Sequence, residues 1–507
     1  MGHYPTKLII NGGAAVAQGR QQPVWTESGY VSGALVGGPG KEVMIYRGIP
    51  YAAAPVGDLR WKPPRPPSSW RGVRDCTRFS DSCAQLPVAW AGFDFPQSED
   101  CLTLNILAPA EEADSGLPVM VALHGGGYVV GSANDPIYNR PHLAGHGAVV
   151  VPVNTRIGVF GLMAHPLLSA ESPDGTSGNY MLLDLVAALQ WVKRNIAAFG
   201  GDPENITIFG SSGGSWKAID LMTSPLAAGL FQKAICSSGT PWGTDLTTPT
   251  TLEQAEARGE RFFSRLGVDG QKDPLVAARA VGWKEILEAD GEMLREAGLA
   301  TPWTNWEIAV DGFVLPESPQ KVFEAGGQNP IRLVVGGNLG EITEPIMPGI
   351  IPSYVEMLAS NGRLGIPSYA YIFDHVPSKW KEQDVVCTHG QELPYVFGDF
   401  DHATSASWSC SRMLNGAEEA DPGITEVDHE LADLMATLWT RFAETGDPGL
   451  PGLAEWPPYD PATDEYMSID EPIQARTGFS TLGPATLSRE GIAHDRRIPS
   501  EAHHRRP

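Results

Sequence analysis

Positive charge is scarce in this 507-residue chain, where 36 Lys+Arg face 60 Asp+Glu for a net charge of −24 at pH 7. A nucleic-acid binder needs a basic surface to displace counterions, so that class is excluded. Long apolar runs are also missing. No stretch approaches the roughly 18 residues a membrane-crossing helix requires, which excludes a membrane span. The six cysteines include no C-x-x-C pair, so zinc-ribbon and thioredoxin-like chemistry have no foothold. H-E-x-x-H, Cys/His clusters and EF-hand loops are absent too. The expectation is a protein with no metal and no cofactor, whose activity chelators leave unchanged. There are no repeats or low-complexity blocks, and glycine-rich pieces such as Gly37-Gly38-Pro39-Gly40 lack the strand and helix of a nucleotide site.

What is present points to a compact fold. Hydrophobic residues make up 42%, with 14 Trp and 16 Phe, enough apolar area to offset chain entropy. Short β-branched runs at Val119–Leu123, Ala148–Val153, Ile206–Phe209 and Ile331–Val335 predict buried parallel strands. Between them Met181–Ala198 carries apolar residues at spacings of three and four, and a second helix runs from about Val427 to Glu444 before Gly446 and Pro448 stop it. Such alternation predicts an α/β fold with a mainly parallel sheet covered on both faces. Residues 1–23 read as an N-terminal extension, 24–484 as one domain and 485–507 as a polar tail. Ala15-Val16-Ala17 resembles a signal-peptidase site, but the apolar run before it is too short for a clear leader.

Chemistry concentrates in three places. Ile206–Phe209 runs into Gly210-Ser211-Ser212-Gly213-Gly214, a G-x-S-x-G turn after a strand, which makes Ser212 the candidate nucleophile. A serine hydroxyl is a poor nucleophile at neutral pH, so it needs a base and donors for the oxyanion it creates. His124-Gly125-Gly126-Gly127 follows another strand. Its glycines let the N–H groups of Gly126 and Gly127, with that of Gly213, converge on a developing negative charge, while His124 reads as structural.

The chain resembles the type-B carboxylesterase family of cholinesterases, bacterial esterases and fungal lipases. The resemblance rests on Phe199–Gly214, on Ser98–Asn105, on Gly48–Ala52 and on Pro55–Arg60. It runs from about Val24 to about Asp470 and implies the α/β-hydrolase fold. It also implies that Glu341, in Gly336-Gly337-Asn338-Leu339-Gly340-Glu341, is the acid, and that His389, in His389-Gly390-Gln391-Glu392-Leu393, is the base. Further carry-overs are Ser238 near the acid, the ion pairs Arg60–Glu99 and Arg156–Asp184, and a disulfide between Cys83 and Cys101. That disulfide favours a secreted or periplasmic setting. Cys76, Cys236, Cys387 and Cys410 read as buried free thiols, and His402 and His429 as weak alternatives for the base.

Departures from the family concern the pocket. Ser211 stands where a Glu is usual, which takes a buried carboxylate from the triad's surroundings, and Gly213 stands where Ala is usual. Glu341 and His389 are only 48 residues apart, so the insert over about Ile342–Ser368 is reduced and the site should be more open on that side. Trp216, Lys217 and Tyr128 are expected near the substrate. Lys217 attracts a substrate carboxylate, as in fumonisin-type polycarboxylate esters, or else pairs with Asp220. The resemblance thus implies a cofactor-independent hydrolase of small-molecule carboxylic esters, bulky or multiply substituted. A lipase, an amide or carbamate hydrolase, and a non-catalytic adhesion protein are the alternatives.

Overall fold

The computed structural model describes residues 22–37, 42–87, 95–110, 116–243, 249–298, 306–343, 349–383, 385–401, 408, 417, 421–453 and 455–483. Most of the N-terminal extension, the polar tail, His402 and Cys410 lie outside these.

Eleven strands form one sheet: β1 Ala34–Val36, β2 Val43–Pro50, β3 Thr103–Pro109, β4 Leu117–Leu123, β5 Val149–Val153, β6 Gly201–Ser211, β7 Lys233–Ser237, β8 Arg332–Asn338, β9 Ser368–Phe373, β10 Glu465–Ile469 and β11 Gln474–Thr477. Their spatial order is β11-β10-β9-β8-β7-β6-β4-β5-β3-β2-β1. The centre, from β10 to β5, is parallel, with Ile208 opposite Val121 and Gly210 opposite Cys236. Both margins are antiparallel, which the β-branched runs did not announce. The margin strand β11 is exposed along its length and carries no apolar run to read. This is the α/β-hydrolase fold, a large mixed sheet flanked by helices.

The predicted helices form. Helix α1 (Tyr180–Asn195) buries Leu182, Leu185, Leu189 and Val192 on one face. Helix α2 (Gly213–Thr223) follows β6 directly and is buried throughout. Among its described residues the reduced insert carries helix α3 (Ile350–Arg363), and a short helix α4 (Leu393–Phe397) follows the His389 segment. Helix α5 (Glu426–Thr445) ends where Gly446 turns left-handed at φ 76°. Apolar side chains fill both sides of the sheet, Val121 and Ile208 on one and Met120 and Phe209 on the other.

Both expected ion pairs are buried. Arg60 grips both oxygens of Glu99 at 2.6 Å and reaches the carbonyls of Ala278 and Val281, and Arg156 grips Asp184 at 2.7 and 2.9 Å. The expected disulfide is corrected. Cys83 and Cys101 are both free, buried thiols, in contact through a hydrogen bond rather than an S–S bond. That contact, together with burial, pushes the Cys101 thiol well up, so it holds its proton. Cys76, Cys236 and Cys387 are free and buried, as expected.

Candidate active site

Parallel pairing places the carboxyl ends of β4, β6, β7 and β8 along one edge of the sheet, so the loops leaving them converge. At the end of β6 the chain turns through Ser212, whose φ of 58° and ψ of −125° lie where L-residues are strained, at a cost of about 1–3 kcal/mol. The glycines make this turn possible. A Cβ on Gly210 would sit 2.6 Å from the Leu123 carbonyl oxygen, and one on Gly214 only 2.1 Å from it. Ser212 keeps intermediate exposure while all of α2 behind it is buried.

The glycine loop after β4 lies directly against this turn. Gly126 and Gly127 both adopt positive φ, 95° and 60°, and a Cβ on Gly213 would fall 2.3 Å from the Gly127 nitrogen. The space an alanine would fill at 213 is thus occupied by the loop backbone. Tyr138 Oη accepts the Gly125 N–H at 3.0 Å, and the Gly126 carbonyl accepts from Val129 and Val130. Among the described residues the N–H groups of Gly126, Gly127 and Gly213 make no hydrogen bond. They are preorganised donors with nothing to bind, at the positive end of α2.

Glu341 and His389 meet. His389 Nδ1 donates to Glu341 Oε2 at 2.5 Å, and the other carboxylate oxygen accepts the Asn338 N–H at 2.6 Å. Their loops are stitched by Gly340 N–H to the Cys387 carbonyl at 2.7 Å. Glu341 is fully buried, and the His389 side chain is 16% exposed. Burial opposes a charged imidazole, yet the Glu341 charge and hydrogen bond, with Glu392 nearby, outweigh it and raise the His389 pKa. No hydrogen bond joins Ser212 to His389 among the described residues. His429 sits elsewhere, on α5 against the Phe400 ring.

Glu392 is the residue that motif reading passed over. Its buried carboxylate accepts from Ser211 Oγ at 2.5 Å, Asn338 Nδ2 at 2.6 Å and Ser238 Oγ at 3.5 Å. Burial and the Glu341 charge raise its pKa. The surroundings therefore do not lack a carboxylate. Ser211 is a donor to one supplied from 181 residues away, a separation that no local pattern encodes. Ser238, at φ 55°, accepts from Asn338 Nδ2 at 3.2 Å and so reaches Glu341 through Asn338.

The three residues expected near the substrate, Lys217, Tyr128 and Trp216, are buried with partners inside the protein. Lys217 is 1% exposed, and its amine donates to the His124 carbonyl at 2.9 Å beneath the glycine loop. Tyr128 Oη donates to Asp220 at 2.7 Å, and the buried Trp216 ring packs on Tyr128. Lys217 and Asp220 attract each other without direct contact. Burial pushes the lysine down and the aspartate up, both toward neutrality, and burial with the Lys217 charge holds His124 well below its ordinary value. The helical period turns position 217 toward the end of β4.

Known proteins match this architecture. The model of the carboxylesterase family matches residues 20–348 and 350–483. A fumonisin B1 esterase of Sphingopyxis macrogoltabida is 34% identical over 497 residues, covering 88% of this chain and 87% of the relative. A para-nitrobenzyl esterase of Bacillus subtilis is 33% identical over 503 residues, covering 89% and 95%. A solved PNB esterase superposes with a TM-score of 0.75 at 31% identity, covering 90% of this chain and 97% of its own. With its sheet, its strained serine turn and its family match in agreement, the chain belongs to the carboxylesterase family and is a serine carboxylesterase, a hydrolase of small-molecule carboxylic esters.

Proposed function

We propose that Ser212 is the nucleophile, His389 the general base and Glu341 its orienting acid, with Gly126, Gly127 and Gly213 as the oxyanion hole. The observation that carries this reading is the 2.5 Å bond from His389 Nδ1 to Glu341, which leaves Nε2 as the basic nitrogen. Ser212 Oγ attacks the ester carbonyl carbon and its proton passes to Nε2. The carbonyl oxygen becomes an oxyanion held by the three N–H groups. The C–O bond to the alcohol then breaks as His389 returns the proton to the leaving oxygen. Water, deprotonated by His389, cleaves the acyl-enzyme and regenerates Ser212. The nucleophile–base hydrogen bond of such sites commonly forms only once substrate is bound. One sheet takes strands from residue 34 to residue 477, which supports reading 24–484 as a single catalytic unit.

For substrate, we favour bulky or multiply substituted esters, on the strength of the short insert between Glu341 and His389, whose described residues include helix α3. Polycarboxylate esters of the fumonisin type draw support from the Sphingopyxis relative's name but none from Lys217. The test is a panel of neutral and anionic esters of matched size, read as kcat/KM. Lys217→Met should leave the anionic-to-neutral ratio unchanged. By removing the donor beneath His124 it should lower stability by about 2 kcal/mol, read by urea unfolding. A ratio that shifts selectively against anionic esters would return Lys217 to the pocket.

The raised pKa of His389 fixes the sign of the pH response. Only the neutral imidazole accepts the serine proton, so kcat/KM should fall as pH drops through a value above the ordinary 6.5 or so. In Glu341→Gln the acid limb should move to lower pH while the plateau drops. A wild-type limb below pH 6 would contradict this.

A further inference from the structure

Outside the catalytic constellation, two histidines and an aspartate converge where a tight turn meets α5. The turn spans residues 141–147 and is closed by Gly145 N–H to the Pro141 carbonyl at 2.8 Å and by His146 N–H to the Leu143 carbonyl at 3.2 Å. It presents His142 and His146, four residues apart, on one side, a spacing that lets two imidazoles share a metal ion. Asp433 comes from α5, 287 residues further along. His146 Nε2 is 3.2 Å and His142 Nδ1 3.9 Å from Asp433 Oδ1, and no two ligand atoms of the three are more than 4.8 Å apart. Tetrahedral zinc, with bonds near 2.0–2.1 Å, holds its ligand atoms about 3.3 Å apart.

The hydrogen bonds behind the rings orient them for such a role. His142 Nε2 meets the Ala432 carbonyl at 3.3 Å, and a carbonyl can only accept, so Nε2 carries a proton and Nδ1 is the ring nitrogen that faces Asp433. His146 Nδ1 meets Thr437 Oγ1 at 3.3 Å, while the Thr437 hydroxyl proton is given to the Asp433 carbonyl at 2.7 Å. His146 Nε2 faces the Asp433 carboxylate at 3.2 Å, as a donor when it carries a proton and as a metal ligand when it does not. At these distances the two rings and the carboxylate can share a divalent cation in place of a proton. Outer partners that settle the tautomer are the usual surroundings of ligating histidines. The His142 ring is also wedged by the Gly398 backbone, where a Cβ would stand 2.5 Å from its Cγ. Asp433 is 57% exposed, and the cluster opens on a cavity of about 330 Å³, so a fourth position remains for water.

We propose that His142, His146 and Asp433 bind one divalent metal ion of borderline softness, zinc in the first place. An N2O donor set favours such an ion over calcium or magnesium, which take oxygen. The ion would fasten α5 to the segment that carries Tyr138, whose hydroxyl holds the Gly125 N–H ahead of the oxyanion glycines. Its role is to brace the scaffold, and it takes no part in ester cleavage. The chain as a sequence hides it because the carboxylate is so distant.

Calorimetric titration of the metal-stripped full-length chain with zinc at pH 7.5 tests this. One equivalent should bind. Affinity should fall at least about tenfold in His142→Ala and in Asp433→Asn, and hold in His494→Ala/His503→Ala/His504→Ala, which removes the histidines of the tail. Cobalt, read by visible absorption, checks the site without substitution: the wild-type chain should give an intense four-coordinate spectrum. The proposal is overturned by no uptake, by uptake that ignores His142 and Asp433, by uptake that vanishes with the tail histidines, or by a weak, water-like cobalt spectrum.

Discussion

Ser212→Ala should reduce ester hydrolysis by roughly a millionfold in kcat, the scale seen when a triad nucleophile is removed. Alanine takes the place of a residue already held at φ 58°, so it adds no new strain, and the folded state should survive with an unchanged far-UV spectrum. Substrate affinity should be kept, because the cleft and the three free N–H groups remain. An organophosphonate that labels the wild-type chain once should leave the variant unlabelled. Labelling that persists on another residue would take the nucleophile's role from Ser212, and with it the proposed mechanism.

Gly126→Ala should be nearly as damaging to turnover while leaving the nucleophile intact. The added Cβ would stand 2.2 Å from the Val130 carbonyl oxygen and 2.7 Å from its carbon, at a φ of 95° that an L-residue rarely adopts. Neither obstacle is a flexible side chain, so the loop backbone has to move. That displaces the Gly126 and Gly127 N–H groups from the point where the oxyanion forms. Loss of one such donor costs about 10²–10³ in kcat, or roughly 3–4 kcal/mol of transition-state stabilisation, and KM should change little. Gly362→Ala, in α3 where a Cβ meets nothing within 4 Å, is the matched control and should retain full activity. Equal losses in both variants would mean that global stability, not oxyanion geometry, is being measured.

The two expectations differ in how visible their causes are along the chain. Ser212 is legible because a nucleophile turn is local: strand, glycine, serine and glycine are consecutive, and the strain is produced by neighbours in sequence. The loop of Gly125 to Gly127 is legible for the same reason. Close approach of Gly213 to Gly127 is not. It depends on β4 and β6 lying side by side, which a linear pattern cannot state.

Charged residues mark the boundary most clearly. Lys217 looks like an anion-binding group in a linear reading, because a lysine five residues past the nucleophile is near the chemistry in sequence. The helix rotates it beneath the His124 carbonyl, where burial decides its behaviour. Ser211 looks like a loss for the opposite reason, since its partner Glu392 arrives from another loop. Cys83 and Cys101 show the same limit: their proximity is foreshadowed by resemblance, but the separation of their sulfurs is a matter of packing.

By itself the order of residues determined the reaction class, the central parallel strands, the helices that cover them and the identity of the groups proposed for the chemistry. These follow from hydrophobic period and turn-forming residues, which act over a few positions. Tertiary structure alone decided which buried carboxylate serves Ser211, that Lys217 is buried beneath the His124 carbonyl, and that two histidines meet an aspartate across the fold. Desolvation and hydrogen-bond pairing depend on what lies within a few ångströms in space, and chain position does not set that distance.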